Sequence, residues 1–378
     1  MTMGTIYDIT ETHEEPAPKP ITDADVQGDE RRWRRGYVPV AAGETTKADG
    51  TPDYGVFGPD TVVWEVFTHP AMVIFHHAAQ KLAQDVYLPI QAAVRDYEPL
   101  NKKARAGVFT LFDAMERVTR GAGMHVPLWL GDTATAEHMA SWLHKIHTPL
   151  KGDVIDSGRP ELGGYDAVST RETLWATYTE MHPMLCAYEA FAWNGWRAPK
   201  RLPAWKRDKF MDESANYAIL HGADPDEVPH SMAELDALYA KYAEFFAHSE
   251  TVQNQLDTGE SILDVSARVG KKNWDKTQSK ALKVIFVAIL GMELPMLGAL
   301  PRPYRLAHGL SPAKATWAAI VAKLFVPVAW FMQRPRFERK WIRTLWGPDG
   351  QRLIDSARKV RAEYLAAHPE TLKSPQHA

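Results

Sequence analysis

An all-α fold, arranged as a single large multi-helix domain, is predicted by three features of this 378-residue chain. Apolar residues recur at helical spacing in almost every segment after residue 60. Strict period-2 alternation between turn signals, the mark of half-buried strands, is nearly absent. No internal repeat and no composition-shifted linker interrupts the middle of the chain, so one helical domain is the economical architecture.

The elements follow in order from these rules. Residues 37–59 are a Gly/Pro-rich extended lead-in that ends in YGVFGPD. Asp60 is expected to N-cap a short helix, TVVWEVFTH. Pro70 and Pro89 each open a further helix, because proline fits the first helical turn. An amphipathic stretch covers about 101–121, and Gly121, Gly123 and Pro127 are expected to break it. A helix starts near Asp132 and ends around Pro149 to Gly152. Residues 153–168 read as loop. Three more helices follow, in 170–193, 202–222 and 231–250.

The ends and the last third differ from this body. Residues 1–35 are expected to be an acidic, disordered tail without the apolar region of a secretory signal. Residues 36–365 form the predicted helical domain, and 366–378 a second tail. The stretches 281–300 and 317–332 approach membrane-span length, yet the first carries Lys283 and Glu293 and the second Lys323. They are expected first as buried core helices, with a membrane-dipping surface or a true span as alternatives. Arg302, Arg305, Arg334, Arg336, Arg339, Lys340 and Arg343 lie between and after them, as a solvated face or as contacts for anionic headgroups.

Composition excludes several functions. The net charge of −3 argues against a nucleic-acid partner. One cysteine, Cys186, rules out an internal disulfide and any Cys-rich metal or iron–sulfur site, and suits a reducing, cytoplasmic compartment. There is no HExxH, GxSxG, Walker A or GxGxxG motif. The only ExxH, Glu227 to His230, contains the helix-breaking Pro229. The 13 Trp and 13 Met suit a large apolar pocket as well as an ordinary core.

Two helices carry candidate chemistry. In GDTATAEHMASWLHKIHTPLKG, Met139, Leu143, Ile146 and Leu150 form an apolar stripe. His147 falls about 60° from its centre, while His144 turns toward the polar side. A buried neutral imidazole suits a metal or haem iron, or else bonds a backbone carbonyl as a core histidine. In 170–193, Leu174, Tyr178, Met181 and Leu185 form the stripe, flanked by Trp175, His182 and Glu189. His182 and Glu189 are expected to pair with each other or to orient a water or cofactor carboxylate. His76 and His77 are adjacent and point about 100° apart, so they do not share one ion easily.

Four segments, taken together, resemble a known family. YGVFGPDTVVWEVFTHPAM, GDTATAEHMASWLHKIHTPLKG, ETLWATYTEMHPMLCAYEAF and RDKFMDESANYAILHGADPDEVPHSMAEL occur in order over roughly 55–240. They resemble the oxygenases typified by the mycophenolic-acid-biosynthesis oxygenase and rubber oxygenase (latex-clearing protein). The resemblance implies a rubber-oxygenase-like helical fold built around a b-type haem, with His147 as the proximal iron ligand. On the distal side it implies Arg105 and Thr110 as the polar groups facing oxygen, with Lys103 as a further amine; His182, from its place on the 170–193 helix, is the remaining candidate cofactor contact. The family's Arg-x-x-Lys-Thr string is absent here, and Thr177 and Leu88 replace two histidines common in the family. The function implied is a haem b-dependent oxygenase acting with O2 on a hydrophobic, isoprenoid or lipid-like substrate. The alternative is a non-catalytic helical protein that binds haem or lipid, peripherally associated with membrane.

Overall fold

In the computed structural model, residues 37–106, 108, 111–249, 252 and 280–372 are described. The expected tail 1–35 lies outside them. The helices are α1 Val62–Phe67, α2 Pro70–Gln84, α3 Leu88–Tyr97, α4 Pro99–Arg105, α5 Leu111–Leu130, α6 Thr133–His147 and α7 Thr170–Phe191. They continue with α8 Ala204–Leu220, α9 Met232–Lys241, α10 Lys280–Ala299, α11 Arg302–Ala307, α12 Pro312–Met332, α13 Pro335–Trp341 and α14 Gly347–Ala367. A π-helical turn, Ile342–Trp346, links the last two. Among the described residues the only paired strands are β1 Lys151–Gly152, just before the expected loop, and β2 Tyr165–Asp166, inside it, paired antiparallel. The predicted all-α class is the observed one.

Local chemistry explains most helix starts. Asp132 caps α6 by accepting from the Thr135 amide at 2.9 Å. Ser169, Ser231 and Ser311 cap α7, α9 and α12 in the same way. The α1 cap is one residue later than expected. Thr61 Oγ1, not Asp60, accepts from the Trp64 amide at 3.1 Å. The lead-in closes against the start of α6, where Gly55 adopts φ +74° directly under the Gly131 carbonyl, a position a Cβ would fill.

The larger correction concerns α5, which runs unbroken through Gly121, Gly123 and Pro127. The reason is tertiary. Ala122, Val126, Leu128, Trp129 and Leu130 are buried, and Trp129 packs edge-on against Trp346 from the π turn at 6.4 Å. Packing along the helix outweighs the local cost of glycine and proline.

The core centres on α2 and α7, whose Phe75 and Phe191 stack at 4.4 Å. α7 is buried around most of its circumference, with Leu174, Tyr178, Met181 and Leu185 fully enclosed. α5, the π turn and α14 close one side of this pair. α10 and α12 close another as a packed pair. Gly298 of α10 sits against the Ala318 backbone of α12, where any Cβ would overlap the carbonyl.

The expectation that 281–300 and 317–332 are buried core helices holds for one face only. Met292, Met296 and Leu297 of α10 join the core. Val287, Leu290 and Leu294 face outward, as does a stripe of α12 that includes Leu324 at 68% exposure. The inward side of α12 is mostly alanine, so these side chains have no packed layer opposite them among the described residues. Arg305, expected with the basic set, turns inward instead and donates to the Gly298 carbonyl at 2.8 Å. α14 and a 3₁₀ turn, Pro369–Leu372, extend into the stretch expected as the C-terminal tail, and 373–378 lie outside the described residues.

Candidate functional site

α6 presents a buried line slightly rotated from the expected stripe. Thr135, Ala136, Met139, Ala140 and Leu143 are buried, whereas Ile146 is 36% exposed. Ala136, Ala140, Leu143 and His147 follow at helical spacing, so His147 continues the inward line at the last residue of the helix. His144 faces outward, as its phase predicts. The His147 imidazole is held at a pKa of about 4, first by loss of solvent and then by the positive fields of His125 and Arg117. It is therefore neutral at pH 7. Among the described residues no hydrogen bond engages its ring.

His147 belongs to a wider set of imidazoles, of which His76 is fully buried and the others, His147 included, are half-buried. His76 and His77 come from α2, His125 from α5 and His221 from the end of α8. Burial drives His77 to about 3 and His221 to about 4. His76 lies well below its ordinary value for the same reason. The Nε2 atoms of His76 and His221 are buried without a hydrogen-bond partner among the described residues. His76 is fixed edge-on to Trp129 at 5.5 Å, and the Trp346 indole approaches its Nδ1 at 3.4 Å.

Glu180 of α7, 3% exposed, ties this set together. Its Oε1 accepts from Trp129 Nε1 at 2.9 Å and from the Tyr217 hydroxyl at 3.0 Å. Its Oε2 accepts from Gln80 at 3.2 Å and lies 3.1 Å from His125 Nδ1. That last contact is at ion-pair distance without hydrogen-bond alignment. A buried carboxylate is tolerated only with such donors. Next to the set, Arg117 pairs with Glu98 at 2.8 Å.

The other sequence candidates are placed as follows. Lys103, in α4, is exposed and ion-paired with the buried Asp113 of α5. Arg105 is the last residue of α4, and Thr110 lies outside the described residues. His182 is buried on α7, with Nδ1 3.3 Å from the Tyr239 hydroxyl. It borders a cavity of about 310 Å³ with Phe246 and Tyr304. Its pKa of about 4 comes from burial and Arg207, not from the groups that act on His147. Glu189 does not pair with His182. It takes Arg207 at 3.1 Å and the Leu202 amide at 2.9 Å. Thr177 bonds back to the Thr173 carbonyl at 3.0 Å.

Sequence reasoning missed Glu180, His125 and Gln80. Glu180 sits on a helix buried on both sides, so amphipathic phase carries no signal for it. His125 was hidden by the expected break at Gly121–Pro127. Its spacing from Trp129, one turn along a continuous helix, is the signal that finds it once the helix is extended.

Among the described residues no three His, Cys, Asp or Glu side chains converge in metal-binding geometry. The arrangement instead offers several imidazoles whose ring nitrogens lack a hydrogen-bond partner among the described residues, with His147 at the end of α6 among them. No curated protein and no solved structure matches the chain significantly. Residues 54–353, most of the chain, match the family described as ER-bound oxygenase mpaB/B'/Rubber oxygenase, catalytic domain. With the helical fold and the ordered motifs of α1, α6, α7 and α8, this match makes the chain a member of that oxygenase family.

Proposed function

We propose that the protein is a haem b-dependent oxygenase in which His147 would hold the haem iron and the substrate is hydrophobic, isoprenoid or lipid-like. The observation that carries the reading is the state of His147. It is neutral, lies on the inward line of α6 and has no hydrogen bond among the described residues, which leaves a ring nitrogen free to take haem iron. The residues present fit the group. His76, His77 and His221 are neutral too, so these imidazoles set no fixed positive charge against the iron, and the Nε2 atoms of His76 and His221 are buried without a partner among the described residues.

Bound haem supplies the redox-active iron for oxygen chemistry. The chain's own residues position and insulate it. α6 fixes the His147 ring at a helix end, where the last carbonyls favour donors and cations. Glu180 holds Trp129, Tyr217 and Gln80 in one orientation and thereby sets the wall behind the imidazoles. Arg105 and Thr110 are the proposed distal polar groups, and Lys103 and His182 the further cofactor contacts. The ion pair of Lys103 with Asp113 orders the α4–α5 approach, while His182 would act from the Tyr239 cavity. The family includes rubber oxygenase, and the hydrophobic substrate class rests on that relationship.

Absorption spectra before and after dithionite, with pyridine haemochrome quantification, test the proposal on chain expressed with haem supply. Near-stoichiometric haem in the wild type, lost in His147→Ala with the helical circular dichroism retained, is expected. Free imidazole should restore haem to that variant. Absence of haem from reconstituted wild type, or unchanged haem in His147→Ala, overturns the assignment.

A further inference from the structure

The outer face of α12 has no counterpart in the oxygenase site. Trp317, Ile320, Leu324, Val328 and Phe331 are 59, 43, 68, 46 and 53% exposed. Their spacing of three and four residues aligns them along one side of the helix. α12 is, among the described residues, the one helix long and apolar enough to cross a membrane, and only 22% of its most apolar stretch is buried. It nevertheless cannot leave the body as a free span. Ala315, Ala318, Ala322 and Ala329 are buried on its other side. The Trp193 indole donates to the Val326 carbonyl at 3.0 Å, and Gln333 donates to the Phe191 carbonyl at 2.7 Å. The helix lies flat on the protein with one face uncovered among the described residues.

The surroundings of that face identify its occupant. Lys323 is exposed on the flank of the stripe, about 100° round the helix from Leu324, and Arg336, Arg339 and Lys340 are exposed just beyond its end. None of these four is paired with a carboxylate among the described residues. Phe331 packs on Phe337 of α13 at 4.6 Å, one helical turn from Lys340. At the same end Trp196, 82% exposed, packs on Trp330 at 5.1 Å. Arg334 lies 3.4 Å over the Trp330 ring. Trp317 occupies the opposite end. An apolar stripe, tryptophans at both ends and unpaired cations at the rim match the layered chemistry of a lipid interface. At a bilayer surface the Lys323 amine, on the flank of the stripe, reaches the headgroups while its stem lies along the apolar side chains.

We propose that the α12 face, with the α13 cations, docks the protein peripherally on an anionic lipid bilayer, α12 lying in the plane of the interface. This surface is independent of the haem reading. Flotation of the full chain with two vesicle preparations tests it: phosphatidylcholine alone, and phosphatidylcholine mixed with phosphatidylglycerol. The wild type is expected to float with the anionic vesicles at low salt, to bind phosphatidylcholine more weakly, and to lose the difference as salt rises. Leu324→Glu with Val328→Glu should abolish flotation on both, with unchanged helical circular dichroism. Arg336→Ala with Arg339→Ala and Lys340→Ala should weaken binding to the anionic vesicles on the order of a hundredfold and leave phosphatidylcholine binding unaltered. Three results overturn the proposal. One is wild type that remains soluble with both preparations at low salt. Another is flotation that survives the Leu324/Val328 substitutions. The third is a stable lipid-free dimer that those substitutions dissociate, which would give the face to a second copy of the chain.

Discussion

The wall around Glu180 and the face of α12 reverse the usual arrangement in opposite ways. Around Glu180 a carboxylate and a set of imidazoles are enclosed by tryptophan and tyrosine. On α12 the large apolar side chains point outward and the small ones inward. Folding alone explains neither, since burial favours apolar groups and leaves charges in water. The enclosed region is stabilised by hydrogen bonds from three donors, so it is stiff and intolerant of substitution. The bare region contributes little to folding, so it is free to serve a contact. Features that cost folding free energy, or return none, are where function is to be sought.

Four experiments sharpen or break this contrast. The largest effect is expected for Glu180→Ala, which leaves the Trp129, Tyr217 and Gln80 donors buried without an acceptor. Urea unfolding should show a loss of about 3–5 kcal/mol, with Glu180→Gln recovering part of it. A loss near that of a surface substitution would mean the network is slack. Next is Gly298→Ala, where the new methyl must displace α12 from α10. Overpacking of this kind costs about 1–3 kcal/mol, and a wild-type midpoint in thermal unfolding would show that the pair separates freely.

A third test uses pH. His77, His147 and His221 have folded pKa values of about 3, 4 and 4, against an ordinary value of 6.5. Their depressed values mean the unfolded chain binds more protons below that point. The stability they confer is complete above about pH 6.5 and is lost as pH falls toward about 4. The thermal midpoint should decline through that window, and His221→Gln should flatten the decline. An equal slope in the variant would show that His221 is not held neutral. The smallest effect is expected from Leu324→Glu. In water its unfolding free energy should stay within about 0.5 kcal/mol of wild type. A larger loss would mean that α12 is covered in the soluble protein.

Much of the frame was legible in the chain. Asp132, Ser169 and Ser231 cap helices because their side-chain oxygens satisfy free amides, a choice made within four residues. Helical phase alone separated His147 from His144, since it depends only on the angle per residue. The alanines at 136 and 140 were the clue that the buried line is rotated away from Ile146. By contrast, the continuity of α5 through Pro127 was not legible. It depends on Trp346, more than two hundred residues away, and local propensity is a weak term beside such packing.

The sequence by itself determined the helical class, the helix starts, the inward turn of His147 and the ordered motifs of the oxygenase family, because each rests on neighbours within a few turns. Only the tertiary structure decided that Glu180 gathers Trp129, Tyr217, Gln80 and His125, that His182 turns to Tyr239 instead of Glu189, and that α12 keeps one apolar face bare. Periodicity shows that a helix has an apolar side; it does not show whether another element arrives to cover it. That is settled by long-range packing, where the free energy of burial is realised.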